Sequence, residues 1–185
     1  LPSRITSNIR EQKGYTYSPR STITTRLGAA SWAEIADVTT NVTGPSIKEI
    51  LGEIGRLRNE PPTEAELRGI QNYLAGTFVL QNSSRPGIAG QLAFLDLYGL
   101  GEDFLRNYVQ RVYALKPADI QQMTRTHIDP SKLAIVVVGD RAQVFDHIKA
   151  HGEVIEQYPA LFPLPAARGG GQGEGPHGAL TISRY

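Results

Sequence analysis

The sequence predicts an α+β fold in which a mixed, largely antiparallel sheet carries helices packed mainly on one face. Three observations predict it: two strand-like runs lie near the start, amphipathic helical segments fill the middle, and one continuous apolar run follows them. Strands that precede and follow a block of helices are typical of α+β folds and disfavour a doubly wound parallel sheet. We therefore expect the early strands and the late strand to share one sheet.

The early strands are predicted to form an antiparallel hairpin. Residues 15–27 alternate β-branched, aromatic and polar side chains, and residues 30–40 repeat the alternation after a turn at Gly28. This alternation suits half-buried strands, and a short link containing glycine suits a hairpin. Upstream of them, residues 5–10 fit the end of a helix that Gly14 stops.

The middle of the chain is predicted to be helical. Residues 46–58 carry apolar side chains three and four positions apart, which form one stripe on a helix. Thr63 and Glu66 then form a capping box that starts the next helix. Further amphipathic segments lie at residues 88–98 and 104–113, and another helix begins near residue 116.

A late apolar run at residues 133–140 is bounded by turn residues on both sides. So many consecutive β-branched residues indicate a central strand that is buried on both faces. A short helix over residues 144–151 is expected after it. The sequence therefore predicts a main domain over residues 1–158.

The last part, residues 159–185, is predicted to be a Pro/Gly-rich tail, for which a terminal edge strand is one alternative. Its glycine run at residues 169–176 lacks the Lys-Ser/Thr pair of a phosphate loop, so a flexible linker is the better interpretation. Residues 179–185 have strand composition, and we expect them either to dock on the sheet edge or to be disordered.

Composition limits the partners of the chain. The net charge is +1, with 19 basic and 18 acidic residues interspersed, which gives no electrostatic case for nucleic acid or an anionic membrane. No apolar run is long enough to span a bilayer. The absence of cysteine excludes disulfides and thiol catalysis and is compatible with a bacterial periplasm, which we favour over the cytoplasm.

The four histidines do not predict a metal site. His147 and His151 are one helical turn apart, but no carboxylate lies between them, so the general base of an H-x-x-E-H zinc motif is missing. His127 fits the apolar face of a helix, where a packed histidine is commoner than a ligand. The sequence thus predicts no metal ligand and no cofactor in this chain.

The segment Arg10-Glu11-Gln12-Lys13-Gly14-Tyr15-Thr16-Tyr17, preceded by Ser3-Arg4-Ile5, carries the main functional signal. It resembles the S-R-L…R-E-x-(K/R)-G-x-x-Y signature in the C-terminal, non-metal domain of pitrilysin/insulinase-type zinc peptidases, which include mitochondrial-processing-peptidase-like enzymes. Segments at residues 63–67, 73–78, 115–120 and 133–140 follow in an order similar to that domain. The resemblance covers residues 3–152.

The resemblance implies a metallopeptidase fold of the LuxS/processing-peptidase type, incomplete at its N-terminal end, since a complete domain has a further strand and helix there. It implies that Arg10 and Tyr17 reach an active site whose zinc is bound by an H-x-x-E-H domain of the same precursor or another chain, in a homo- or heterodimer. Chemistry agrees, because an arginine fork or a tyrosine hydroxyl can stabilise the oxyanion formed during peptide hydrolysis. Tyr15 competes with Tyr17, because strand alternation predicts both on one face.

Three function classes remain open on this basis. The chain is expected to be the substrate-binding half of a zinc endopeptidase, inactive alone and acting on an extended peptide. The alternatives are a catalytically silent structural homologue, like the core subunits of respiratory complexes, and a general protein-interaction domain. Arg10 and Tyr17 favour the first class over the second, and the order of the motifs disfavours the third.

Overall fold

A computed structural model of the chain describes residues 3–156 and 177–184. The strands are β1 (Arg20–Arg26), β2 (Ala29–Thr39), β3 (Ala134–Val138) and β4 (His177–Arg184). A π-helix, Thr6–Gln12, precedes them, and the α-helices are α1 (Thr43–Asn59), α2 (Glu64–Gln81), α3 (Arg85–Tyr98), α4 (Asp103–Arg106), α5 (Tyr108–Ala114), α6 (Pro117–His127) and α7 (Arg141–Ile148). Short 3-10 turns lie at Thr40–Val42, Pro130–Lys132 and Lys149–His151.

The four described strands form one sheet in the order β1-β2-β4-β3. Each neighbouring pair is antiparallel, and β1 and β2 are joined by a two-residue turn in which Gly28 has a φ of +78°. Glycine suits this turn because a side chain disfavours positive φ. The predicted α+β fold is confirmed, as is the prediction that the hairpin and the late strand share a sheet.

Two predictions about strand position are wrong. The apolar run that was expected to be central, β3, lies at an edge of the described sheet, and its Val136 and Val138 side chains are 50% and 63% exposed. The expected edge strand, β4, lies inside the sheet between β2 and β3. An apolar run of β-branched residues indicates that a segment forms a strand, but it does not predict where that strand lies in the sheet.

The core lies on the inner face of the sheet, defined by Ala36 and Val38 of β2 and by Ile135 and Val137 of β3. Helix α1 covers this face with Ile47, Ile50 and Ile54, and the π-helix adds Ile9. This one-sided packing confirms the expected helix placement among the described residues. The opposite, outer face exposes Asp37 and Thr39 of β2.

The helix boundaries follow the sequence pattern, with one difference. Thr63 and Glu66 form the predicted reciprocal capping box at the start of α2. The expected segment 104–113 is divided at Asn107 into α4 and α5. No helix in the described ranges is long and apolar enough to cross a membrane. The Pro/Gly-rich stretch at residues 159–176, including the glycine run, lies outside the described residues.

Candidate functional site

The two residues singled out from sequence lie together at one end of the sheet. The guanidinium carbon of Arg10 lies 4.9 Å from the centroid of the Tyr17 ring, within the range of a cation–π contact. Both side chains are exposed, and that of Tyr17 is 81% exposed. Arg10 makes no ion pair with a described residue.

The chain reversal that brings these residues together occurs at Gly14. Arg10 lies in the π-helix, whose last amide bonds run from Lys13 N to Asn8 O and from Gly14 N to Arg10 O. Gly14 has a φ of +65°, the left-handed conformation that ends many helices. The chain then turns back, and Tyr17 lies three residues before β1 begins at Arg20.

Thr16 fixes the returning segment to the sheet. Its hydroxyl donates a hydrogen bond of 2.6 Å to the main-chain carbonyl of Asp37, and its backbone pairs with Val38. The Thr16 side chain is buried, although both flanking tyrosines are more exposed. The segment before β1 is therefore anchored at one residue next to Tyr17.

The expectation that Tyr15 and Tyr17 share a strand face is wrong. The strand begins only at Arg20, and Tyr15 packs against the core cluster while Tyr17 extends into solvent. Tyr15 and Tyr17 lie at bends on either side of an isolated bridge and not in a strand, so the alternation on which the prediction relied does not apply. The cation–π contact of Arg10 is with Tyr17.

A polar network holds the π-helix against α1. The Asn8 amide donates to Glu49 at 2.9 Å and to Glu53 at 3.0 Å, and Lys13 forms an ion pair with Glu49 at 3.5 Å. The Asn8 hydrogen bond, aided by the charge of Lys13, lowers the pKa of Glu49 below its usual value. The helix that carries Arg10 is thus fixed from its inner side.

The start of the chain is tied to α2 by a second ion pair. Arg4 donates to both carboxylate oxygens of Glu66, at 2.9 and 3.1 Å. The bond from Arg4 lowers the pKa of Glu66 to about 2, and hydrogen bonds from Thr63 contribute in the same direction. Arg4 also donates to the carbonyls of Glu60 and Pro61, so it connects the π-helix to the α1–α2 link.

Glu34 is a buried carboxyl that the sequence analysis did not single out. Its side chain is 1% exposed on the inner face of the sheet, where it accepts a hydrogen bond from the Ser21 hydroxyl of the neighbouring strand. Burial raises the pKa of Glu34 to about 7, against the opposing effect of Ser21. The two-residue period of β2 places Glu34 on the same face as Ala36 and Val38, and this pattern could have predicted from the sequence that Glu34 is buried.

This burial predicts a pH-dependent stability. Because the folded state binds the Glu34 proton more tightly than the unfolded state, its stabilising effect is complete below about pH 4.5 and is lost as pH rises through about 7. A pKa shift of this size changes the free energy of unfolding by roughly 3 kcal/mol between these pH values. In urea unfolding at a series of pH values, Glu34→Gln should become more stable relative to the natural chain as pH rises over this interval. Parallel pH curves for the two proteins would contradict the prediction.

The described residues do not fit a zinc ion. No three His, Cys, Asp or Glu side chains gather in the described part of the chain. Helix α7 ends at Ile148, so the predicted pair is divided between α7, which holds His147, and the 3-10 turn that holds His151. His147 packs close to Gly44, at the start of α1.

Comparison with known proteins gives the same relationship as the motif. The family model described as the peptidase M16 inactive domain matches residues 1–74, a segment that contains Arg10, Gly14 and Tyr17. The predicted family resemblance is confirmed. The match does not extend to the processing-peptidase-like subfamily. No curated protein matches the chain.

A solved structure shows the same fold. It is the crystal structure of a peptidase M16 inactive domain from Pseudomonas fluorescens, with a TM-score of 0.62 and 23% sequence identity. The match covers 69% of this chain and 30% of that one, so the chain spans less than a third of the length of the matched protein. At this identity the likeness establishes the fold.

Proposed function

We propose that this chain is the substrate-binding, non-metal half of a zinc metalloendopeptidase. In this proposal Arg10 and Tyr17 contribute to an active site whose zinc is held by another domain or chain. The observation that carries the proposal is the contact between Arg10 and Tyr17, which are seven residues apart in sequence and exposed at the same place. The similarity to the M16 inactive domain supports it, because the matched segment contains both residues.

The chemistry of the two side chains suits peptide hydrolysis. Zinc, held elsewhere, would polarise the peptide carbonyl. The guanidinium of Arg10 presents several N–H donors in a planar fork, which can bind a substrate carbonyl and the negative charge that develops on it. The Tyr17 hydroxyl is a further donor, and its exposed ring limits where the Arg10 fork points.

The sheet edge next to Tyr17 suits an extended substrate. Strand β1 is the outer strand on this side of the described sheet, and only its β2 side is paired. Unpaired main-chain groups on an edge strand can bind a peptide as an additional strand. We infer that the peptide lies along β1, with one end near Tyr17.

Reconstitution with a zinc-binding partner tests this proposal. The chain alone should cleave no fluorogenic peptide and hold no stoichiometric zinc. Its complex with an H-x-x-E-H polypeptide should cleave the peptide and hold zinc. One tightly held zinc per isolated chain that is lost in His147→Ala would contradict the proposal. The structural or protein-interaction alternative would be favoured if the partner forms a stable complex with this chain but cleaves peptides equally well when it is alone.

A further inference from the structure

We infer that Thr16 is a positioning residue, whose hydroxyl fixes the orientation of Tyr17 and so the contact between Tyr17 and Arg10. This inference deepens the proposed function and rests on it only for its kinetic consequence. The Thr16 hydroxyl is hydrogen-bonded to the carbonyl of Asp37, so it acts on Tyr17 through the backbone that the two neighbours share.

The first step of the argument is that Tyr17 has little support of its own. Its side chain is 81% exposed, and the contact that the structure gives its ring is the one with Arg10. An exposed aromatic side chain samples several rotamers unless its backbone and at least one neighbour are fixed. The orientation of Tyr17 therefore depends on the residues that fix its main chain.

The second step is that the anchor lies directly beside it. Thr16 is 8% exposed, and its hydroxyl is bonded to the carbonyl of Asp37 at 2.6 Å. Beyond it, regular pairing with β2 begins only at Arg20, which leaves three residues, 17–19, between the isolated bridge and the strand. Without the Thr16 hydroxyl, the segment would keep the backbone bridge to Val38, the packing of Tyr15 on the core and the pairing of β1, but it would lose its side-chain bond to β2.

The third step concerns the partner of Tyr17. Arg10 lies on a helix that Asn8 fixes to α1 through Glu49 and Glu53. One member of the pair is thus held from α1 and the other from β2. Since a displacement of about 1 Å in a catalytic group can lower a rate by about 10²-fold, the single bond from Thr16 is expected to have a measurable effect on chemistry.

The first experiment uses the isolated chain and needs no partner. The ring current of Tyr17 is expected to shift the NMR signals of the Arg10 side-chain methylene protons, because the guanidinium carbon lies 4.9 Å from the ring centroid. Tyr17→Leu provides the zero reference for this shift. Thr16→Val has nearly the same shape but no hydroxyl, and it should lose more than half of this shift, whereas Thr16→Ser should keep it. Thr24→Val, an exposed threonine of β1, is the matched control. Thr16→Ala serves the same purpose if Thr16→Val does not fold.

The outcomes separate this inference from the proposed function. A full Arg10 shift in folded Thr16→Val or Thr16→Ala overturns the positioning role. In the reconstituted enzyme, Thr16→Val should lower kcat by about 10- to 100-fold with little change in KM, and Thr16→Ser should restore it. If the NMR shift is lost but kcat is unchanged, the positioning role stands and the catalytic role proposed for Tyr17 fails.

Discussion

Turnover of a peptide by the reconstituted enzyme is expected to fall by about 10²- to 10³-fold when Arg10 is replaced by Ala or Tyr17 by Phe. In the proposed active site, each change would remove a donor directed at developing charge, and neither residue is part of the core. Both side chains are exposed, so stability should change by less than about 0.5 kcal/mol. Steady-state kinetics together with urea unfolding measures both quantities.

Tyr15→Phe is the control for this pair. Tyr15 packs against the core, and the cation–π contact of Arg10 is with Tyr17. The loss of the Tyr15 hydroxyl should therefore affect turnover much less than the same loss at Tyr17. If Tyr15→Phe inactivated the enzyme and Tyr17→Phe did not affect it, the donor would be Tyr15 and the assignment to Tyr17 would be wrong. Full activity in both Arg10→Ala and Tyr17→Phe would exclude the catalytic role and favour the structural one.

Leu180→Pro is expected to destabilise the fold by on the order of 3 kcal/mol. Leu180 is in the middle of β4 and pairs with Ala36 on one side and Val137 on the other. Proline removes a main-chain donor and fixes φ, which a strand with neighbours on both sides does not tolerate. The urea midpoint should fall clearly below that of the natural chain.

His177→Pro is the matched control, because it places the same residue at the first position of β4, where proline is tolerated. Its unfolding midpoint should lie close to that of the natural chain. Equal midpoints for Leu180→Pro and the natural chain would mean that β4 does not contribute to the folded sheet.

The sequence predicted those features that depend on local pattern. The capping box of Thr63 and the hairpin turn at Gly28 follow from neighbouring residues, and the structure contains both. Arg10 and Tyr17 were singled out by their resemblance to a family motif. Their spacing in the sequence does not by itself predict the chain reversal at Gly14 that brings them into contact. No sequence pattern predicts the burial of Thr16, because its hydroxyl binds a main-chain carbonyl 21 residues further along the chain.

The features that sequence patterns missed depend on residues far apart in the chain. The apolar run of β3 predicts a strand whether it lies at the centre or the edge, because the same β-branched residues suit both positions. Its place at the edge is set by β4, which pairs along its whole described length with β2. The raised pKa of Glu34 likewise arises from its burial, which depends on how the strands and the rest of the fold come together.

The position of β4 between β2 and β3 also determines when the molecule can finish folding. Ala36 and Leu180 are neighbours in the sheet, yet roughly 140 residues separate them, and contacts of such long range form slowly. During synthesis the segment that forms β4 leaves the ribosome last of all the described elements. Until then β2 and β3 each have an unpaired edge, the kind of surface that joins other chains in aggregates. Nascent chains stalled before residue 177 are therefore expected to aggregate more readily than chains that contain β4.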